Sequence, residues 1–403
     1  MTRNTPLKSG LAAAIALLCG TAAAEPPSAE EMWQIIQQQQ KQIESLKSQL
    51  SQTDRKVEAT GTALEEVAAT KTTGGGSSWA DRTHIGGYGE LHYNNLEGQG
   101  GASDKEEFDF HRFVLFFSHE FNDRIRFFSE LELEHSIAGD GQNGEIELEQ
   151  AYVEFDLNDR HRAKAGMFLL PVGILNETHE PDTFYGVERN PVESNIIPTT
   201  WWAGGGALSG ELGNGFSYDA AVHEGLNTGA NYTPRSGRQK TSNAIASDLA
   251  YTARLKWTGM PGVEIGGTFQ HQTDITQGLD ATAGSANLYE LHTVINKGPL
   301  GLRALYARWD LDGNGPAAVG ADEQFGWYVE PSFKFNEQWG MFARYNLWDN
   351  AAGDSTDSEK QQIDVGVNYW PHPNVVLKVD YMTQDNDDGR EQKGFNLGVG
   401  YQF

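Results

Sequence analysis

The chain has 403 residues and a single cysteine, Cys19, so no pair of thiols is present to form an internal disulfide. It lacks any run of about 18 apolar residues, which excludes a transmembrane helix. Basic residues are scarce, because 30 Lys and Arg stand against 56 Asp and Glu, for a net charge of −26. Since phosphate binding needs Lys and Arg, this balance argues against nucleic acid as a partner.

Sequence motifs of familiar enzymes are also missing. The sequence has no G-x-S-x-G, H-E-x-x-H, P-loop or dinucleotide fingerprint, and its 11 His residues are scattered. We therefore expect no enzyme activity, no catalytic residue, no cofactor and no metal site. An outer-membrane hydrolase remains an alternative, because one sequence does not show which distant side chains meet in space.

The first residues have the pattern of an export signal. Arg3 and Lys8 precede a short apolar core, and Ala22–Ala24 fits a small-residue cleavage site. We expect residues 1–24 to be a signal peptide, which would remove Cys19. A lipoprotein is the less favoured alternative, because a bulky leucine directly precedes that cysteine.

A heptad pattern follows the predicted signal peptide. It predicts a periplasmic α-helical coiled coil over residues 25–70, and then a flexible Gly/Ser-rich linker over residues 71–81. The alternative is a lone solvated helix or a disordered segment. The predicted coiled-coil core positions are Ile36, Ile43, Leu46, Leu50, Val57 and Leu64.

Residues 82–403 change to a period of two, which is typical of β-strands. Between Arg124 and Glu134, for example, apolar and charged side chains alternate over the whole segment. We count about 16 such segments. In segment 145–157 the apolar positions Ile146 and Leu148 are out of phase with those that follow, which predicts either a β-bulge or an end that lies outside the membrane.

The connections between these segments distinguish a membrane barrel from a soluble sandwich. Links after even-numbered strands are tight turns, such as Asn122-Asp123, whereas links after odd-numbered strands are long and polar. Short turns at one end and long loops at the other are typical of bacterial outer-membrane barrels. The predicted fold class is an all-β transmembrane barrel of about 16 antiparallel strands with an N-terminal α-helical coiled coil.

Three stretches resemble a known family. The segment Ala165–Gly173 and the later pair Trp201-Trp202 resemble the phosphate-selective porin O and P superfamily, and the predicted N-terminal coiled coil resembles a branch of it with a periplasmic helical trimer. The alternation that ends at Phe403 is similar to the recognition signal of outer-membrane barrels in general. The resemblance implies a homotrimer in the Gram-negative outer membrane. It also implies that Phe403 belongs to a signal read by the barrel-assembly machinery, and that the loop at about 170–201 folds into the pore as a constriction.

The charged side chains of this loop and of the polar-facing strand positions are the candidate pore-lining residues. Acid on the loop and base on the wall would set a transverse field across the narrowest point. The alternative for each wall arginine is an ordinary ion pair with a neighbouring glutamate. The candidates are Glu177, His179, Glu180, Asp182, Glu188, Arg189 and Glu193 on the loop, and Arg112, Arg126, Arg162, Lys164, Arg254 and Arg344 on the wall.

These observations together predict an outer-membrane porin, a passive diffusion channel for small hydrophilic or charged solutes. A non-conducting structural or adhesive barrel is the main alternative. Expected partners are further copies of the chain, lipopolysaccharide and outer-membrane lipid, the barrel-assembly machinery and the solutes themselves. The identity of the solute and the preference for cations or anions stay open, since the sequence has no repeated Arg spacing.

Overall fold

A computed structural model describes residues 79–136, 141, 144–355 and 358–403. The predicted signal peptide, coiled coil and most of the linker lie outside the described residues. The described part forms β1 Thr83–Gln99, β2 Lys105–Asn122, β3 Ile125–Glu134, β4 Ile146–Asn158, β5 His161–Leu169, β6 Trp202–Gly213, β7 Phe216–His223, β8 Ala250–Met260, β9 Val263–Gln272, β10 Ala286–Lys297, β11 Leu300–Leu311, β12 Glu323–Lys334, β13 Trp339–Asp349, β14 Lys360–His372, β15 Val375–Asn386 and β16 Glu391–Gln402. The short helices are α1 Val192–Asn195 and α2 Asn314–Ala318, with 3-10 turns at Trp79–Arg82 and Arg235–Gly237. Neither described α-helix has the length and apolar character needed to cross a bilayer.

The sixteen described strands pair antiparallel with their sequence neighbours, and β1 pairs with β16 to close the barrel. Tyr88 lies opposite Gln402, and Gly87 exchanges backbone hydrogen bonds of 2.9 and 3.0 Å with Phe403. Closure satisfies the backbone groups of both terminal strands, as a hydrocarbon environment requires. The predicted all-β barrel of about 16 strands is confirmed.

The barrel has an apolar outside and a polar inside. In β15, Leu377 and Val379 are 43% and 49% exposed, whereas Lys378 and Asp380 are each 3% exposed. In a soluble sandwich the apolar face of each sheet points inward, whereas here it points outward. This arrangement matches a barrel whose outer face meets lipid. The alternation read in the sequence therefore follows directly from which side of the wall each residue occupies.

Two long connections lie at one end of the barrel. We call residues 170–201, between β5 and β6, the inner loop, and residues 224–249, between β7 and β8, the second loop. At the other end, links after even strands are tight turns, as the sequence predicts. The expectation of long loops after every odd strand is wrong at 100–104 and 387–390, because the hairpins pair almost to their tips, with Leu96 opposite Lys105 in the first.

The predicted irregularity in the fourth strand is a β-bulge. Glu130 of β3 pairs with Gln150, but the next residue of β3, Leu131, pairs with Leu148. Glu149 is the extra residue between them, and it is buried, 2% exposed. The bulge thus adds a carboxylate to the inside of the wall beside Glu130.

Candidate functional site

The inner loop lies inside the barrel with its apolar side against one wall. Leu170, Val172, Ile196 and Ile197 are fully buried, and they belong to the same apolar cluster as Trp309 of β11. The Trp309 indole N–H donates to the Ile196 carbonyl oxygen at 2.9 Å. Burial of these aliphatic side chains is the main force that holds the loop against strands β10–β13.

The rest of the inner loop is fastened to the wall by hydrogen bonds from its backbone. Arg344 lies within 3.4 Å of the Tyr185 carbonyl oxygen and donates to the Glu188 carbonyl oxygen at 3.3 Å, and it pairs with Asp364 at 3.1 Å and with Glu330 at 3.2 Å. Arg344 is therefore a loop anchor that is 3% exposed, and it does not face the water-filled space.

Glu193 also differs from the sequence expectation. It is completely buried, and its carboxylate accepts hydrogen bonds from the Ile174 and Leu175 N–H groups at 2.6 and 2.7 Å. The Tyr328 hydroxyl and the Asn190 amide donate to its other oxygen at 2.9 and 3.0 Å. Glu193 holds the two ends of the inner loop together, so it does not line the passage.

The predicted basic residues of the wall lie in different parts of the barrel and have different partners. Arg254 pairs with Glu177 of the inner loop and binds Asp219 with two donors at 2.9 and 2.7 Å. Arg126 pairs with Glu154 at 2.7 Å, Arg162 lies 3.1 Å from Asp156, and the Lys164 ammonium stands 4.7 Å from the centre of the Phe168 ring. Arg126 and Arg162 lie towards the tight-turn end, which faces the periplasm in outer-membrane barrels.

A cavity of about 160 Å³ lies between the inner loop and strands β1 and β2. We call it the arginine cavity. Its basic lining residues are Arg112, Arg189 and Arg235, and its acidic lining residues are Glu90 and Glu188. Arg112 is 2.8 Å from Glu90, so one of these charges is already matched.

Glu188 projects from the inner loop towards β1. It lies 3.2 Å from the His92 imidazole and accepts a hydrogen bond from Asn94 at 3.0 Å. Burial alone would raise the pKa of Glu188, but the neighbouring His92 reverses that effect and holds the pKa below its ordinary value. Glu188 is therefore ionised at neutral pH.

The arginines contributed by the two loops repel one another. Burial and the neighbouring Arg238 and Arg189 lower the pKa of Arg235 to about 10. Burial lowers the pKa of Arg189 as well, and Arg112 lowers it further. Burial is the larger cause of both shifts, and the part contributed by neighbouring arginines indicates a positive potential, in which an anion is stabilised.

Arg235 and Arg238 come from the second loop and were missed by sequence reasoning. Arg235 donates to the Thr199 carbonyl oxygen at 2.8 Å, and Arg238 donates to the Thr200 carbonyl oxygen. The second loop therefore lies on the end of the inner loop. No periodic signal marks these arginines, and the clue was only the pair of basic residues in a long polar connection.

Two further cavities open at the tight-turn end. One, of about 240 Å³, is lined by Arg160, Arg162, Arg254 and Lys256 against Asp159, Glu211 and Asp219. The other, of about 480 Å³, has Arg254, Lys256 and Arg303 against Glu177 and Glu264. In all three cavities the permanently basic side chains outnumber the acidic ones, although the chain as a whole has a net charge of −26.

The remaining loop candidates do not meet in one place. Glu180 is half-buried, and its carbonyl oxygen accepts the Thr183 N–H at 3.0 Å. Burial raises the pKa of both Glu180 and Asp182. His179 is buried between the inner loop and the wall, 2% exposed, and makes no contribution to the lining of the three cavities.

A closed barrel with an apolar exterior, a polar lumen and a charged internal loop defines the class of bacterial outer-membrane channels. The sequence profile of the Gram-negative porin family matches residues 11–389, and the chain belongs to that family. It is therefore an outer-membrane porin, a channel rather than an enzyme, as the sequence predicts.

The chain is also similar to individual proteins, and the solved structures among them share its fold. An uncharacterised protein of Aquifex aeolicus is 28% identical over 361 residues, which is 79% of both chains. The outer-membrane channel DcaP of Acinetobacter baumannii has the same fold with a TM-score of 0.56 at 16% identity, over 80% of this chain and 97% of DcaP. An anion-selective porin from Comamonas acidovorans reaches a TM-score of 0.58 at 11% identity, over 80% and 99% of the two chains.

Proposed function

We propose that this porin is a passive channel that prefers small anions, with the inner loop as its constriction and the arginine cavity as its selective part. The observation that carries the proposal is the excess of Arg112, Arg189 and Arg235 over Glu90 and Glu188 around that cavity. Arg112 is 4% exposed and paired with Glu90, just as the wall residues Asp364 and Asp380 are 3% exposed, so Arg189 and Arg235 are the basic groups that a permeating ion meets.

The chemistry of the arginine cavity suits a small oxyanion. Guanidinium groups bind carboxylate or phosphate oxygens with two parallel hydrogen bonds. The anion preference of the Comamonas acidovorans porin is extended to this chain on the strength of these arginines, because a shared fold does not fix charge selectivity. Membership of the phosphate-selective O and P branch is a finer part of the same proposal.

The reversal potential in a planar bilayer under a KCl gradient tests the charge preference. We expect anion preference in the wild type and a marked loss of it in the double variant Arg189→Gln/Arg235→Gln. One charge at 4 Å in water is worth about 1 kcal/mol, so each substitution should change the permeability ratio by up to about fivefold. Arg390→Gln removes an exposed charge that pairs with Asp388, and it is the control.

The other possible results of this experiment lead to different conclusions. Cation preference in the wild type would overturn the proposed selectivity and leave the porin assignment in place. An equal shift in Arg390→Gln would mean that surface charge sets the potential. The absence of conductance would support the non-conducting structural barrel.

We also propose a homotrimer held in part by a periplasmic coiled coil at residues 25–70, with lipopolysaccharide and the barrel-assembly machinery as partners. The support is the heptad pattern of apolar residues from Ile36 to Leu64. The mass of the detergent-solubilised protein by light scattering tests it. We expect three chains in the full-length protein and weaker association after deletion of residues 25–70, whereas a monomeric full-length protein would contradict the proposal.

A further inference from the structure

Three polar side chains meet where the inner loop touches strands β3 and β4. His179 comes from the loop, Glu130 from β3, and Glu149 from the bulge in β4. Their exposed fractions are 2%, 1% and 2%, so bulk water does not reach them. Burial of two carboxylates without a compensating cation is strongly unfavourable.

The distances among these groups are too long for hydrogen bonds. The Nε2 atom of His179 lies 3.5 Å from Glu130 Oε1 and 3.6 Å from Glu149 Oε2. These same three atoms are buried and have no hydrogen-bond partner among the described residues. Three polar atoms therefore converge on one point without bonding to one another.

The other contacts of these side chains fix which atoms face that point. His179 Nδ1 lies 3.2 Å from the Asn176 carbonyl oxygen, an acceptor, so Nδ1 carries a hydrogen and Nε2 is the nitrogen that faces the two carboxylates, where it can hold either a proton or a metal ion. Glu130 Oε2 accepts a hydrogen bond of 2.6 Å from the Gln150 amide. Such outer contacts are typical of groups that ligate a metal, because they orient the ring and the carboxylate.

No arginine forms an ion pair with Glu130 or Glu149 among the described residues. Arg112 is 2.8 Å from Glu90 and 3.6 Å from Glu132, and its ion pairs among the described residues are with these two carboxylates. Among the described residues, His179 is the only basic side chain that lies within ion-pair distance of Glu130 and Glu149. A cation between the three groups, either a proton on Nε2 or a metal ion, would balance the two carboxylates.

We propose that His179 Nε2, Glu130 Oε1 and Glu149 Oε2 bind a divalent transition-metal ion, of which Zn²⁺ is the representative. Zinc binds imidazole nitrogen at about 2.0–2.1 Å and carboxylate oxygen at about 2.0–2.2 Å, which places neighbouring ligand atoms of a tetrahedral site about 3.3–3.6 Å apart. Imidazole among the ligands favours zinc and its neighbours over calcium or magnesium. The proposal departs from the expectation of no metal drawn from the sequence, and it does not depend on which solute the channel prefers.

Another buried histidine shows the ordinary alternative. His292 of β10 also faces two carboxylates, but its Nδ1 is 2.6 Å from Glu290 and its Nε2 is 3.3 Å from Glu264. Both ring nitrogens therefore make hydrogen bonds, and no lone pair is left over. His292 is the matched control for His179.

The test measures metal in the full-length protein purified from cells grown with added zinc and then washed with EDTA. Zinc per chain is determined by plasma mass spectrometry in wild type, His179→Gln, Glu149→Gln and His292→Gln. His111→Gln is included because Asp109, His111 and His135 form a half-exposed group with contacts of 2.9–3.0 Å that could hold zinc loosely.

We expect about one zinc ion per chain in wild type, His292→Gln and His111→Gln, and at least tenfold less in His179→Gln and Glu149→Gln. X-ray absorption of the loaded wild type should show nitrogen and oxygen ligands at about 2.0–2.1 Å. Wild-type protein without zinc would overturn the proposal. It would mean that a proton shared among the three groups balances the buried carboxylates. Loss of zinc in His111→Gln alone would place the metal in the open lumen and would overturn it as well. The wild-type measurement decides the matter even if one variant fails to fold.

Discussion

Lys378 of β15 donates a hydrogen bond of 2.8 Å from Nζ to the carbonyl oxygen of Gly186 in the inner loop. The same ammonium stands 3.6 Å from the centre of the Phe184 ring. Two positions further along the wall, Asp380 accepts the Val187 N–H at 2.6 Å. A basic and an acidic side chain on one strand thus hold the loop at Phe184, Gly186 and Val187, the first as a donor and the second as an acceptor.

Replacement of Lys378 by methionine should loosen the inner loop. The Gly186 carbonyl would lose its charged donor, which costs about 2 kcal/mol. We expect noisier single-channel currents and a larger mean conductance in planar bilayers. Lys297→Met, in an exposed position beside a tight turn, is the control, and equal noise in both variants would argue against the anchor.

Replacement of Glu193 by alanine should destabilise the loop more than any exposed substitution. Four donors would lose a buried acceptor, and we expect a loss of about 3 kcal/mol. Heat-induced unfolding followed by gel mobility should occur several degrees lower. Glu337→Ala, at an exposed turn, should leave the transition unchanged, and a wild-type transition in Glu193→Ala would contradict the assigned role.

The charge of Glu188 gives a prediction for pH. Burial raises the pKa of Glu188, but the adjacent His92 lowers it by a larger amount. The pKa of Glu188 in the folded protein therefore lies below the ordinary value. The stabilisation from this group is present above the unfolded pKa and is lost only as pH falls through the lower folded pKa. Glu188→Gln should therefore increase anion preference at pH 7, and the difference from wild type should persist at pH 5. Reversal potentials at both values check this, and a difference that vanishes at pH 5 would show that Glu188 is protonated there.

Gly400 of β16 leaves room for the inner loop. A Cβ at this position would lie 2.7 Å from Pro181 Cγ, and closer still to its Cβ, so any larger residue must push the loop away. We expect Gly400→Val to lower conductance and to cost about 1–3 kcal/mol through overpacking. Gly229→Val is the comparison, since a Cβ there meets no described atom within 4 Å. Equal conductance in the two variants would refute the steric explanation.

The barrel was predictable because each strand carries its own signal. Alternation such as Leu377, Lys378, Val379 and Asp380 depends only on which side of the wall a residue faces, and neighbouring strands pair in sequence order. The bulge at Glu149 was predictable for the same reason, because the phase of the alternation changes there.

The interior of the barrel was harder to predict. Glu193 and Glu188 look alike in the sequence, yet one is completely buried among donors and the other reaches the arginine cavity. Which of them meets water depends on contacts with distant strands, such as the hydrogen bond from Tyr328. Arg235 was missed for the same reason, since its neighbours Ser194 and Thr199 belong to a different loop.

The basic lining of the three cavities affects how the behaviour of this protein on an ion-exchange column should be interpreted. With an isoelectric point near 4.7, the protein should bind an anion-exchange column like any acidic protein. Such a column reports the charge of the outer loops and the exposed ends. An ion inside the channel is influenced mainly by nearby charges such as the inner arginines, because salt screens charges beyond about 8 Å. Behaviour during purification is therefore no guide to which nutrients or antibiotics pass through the channel.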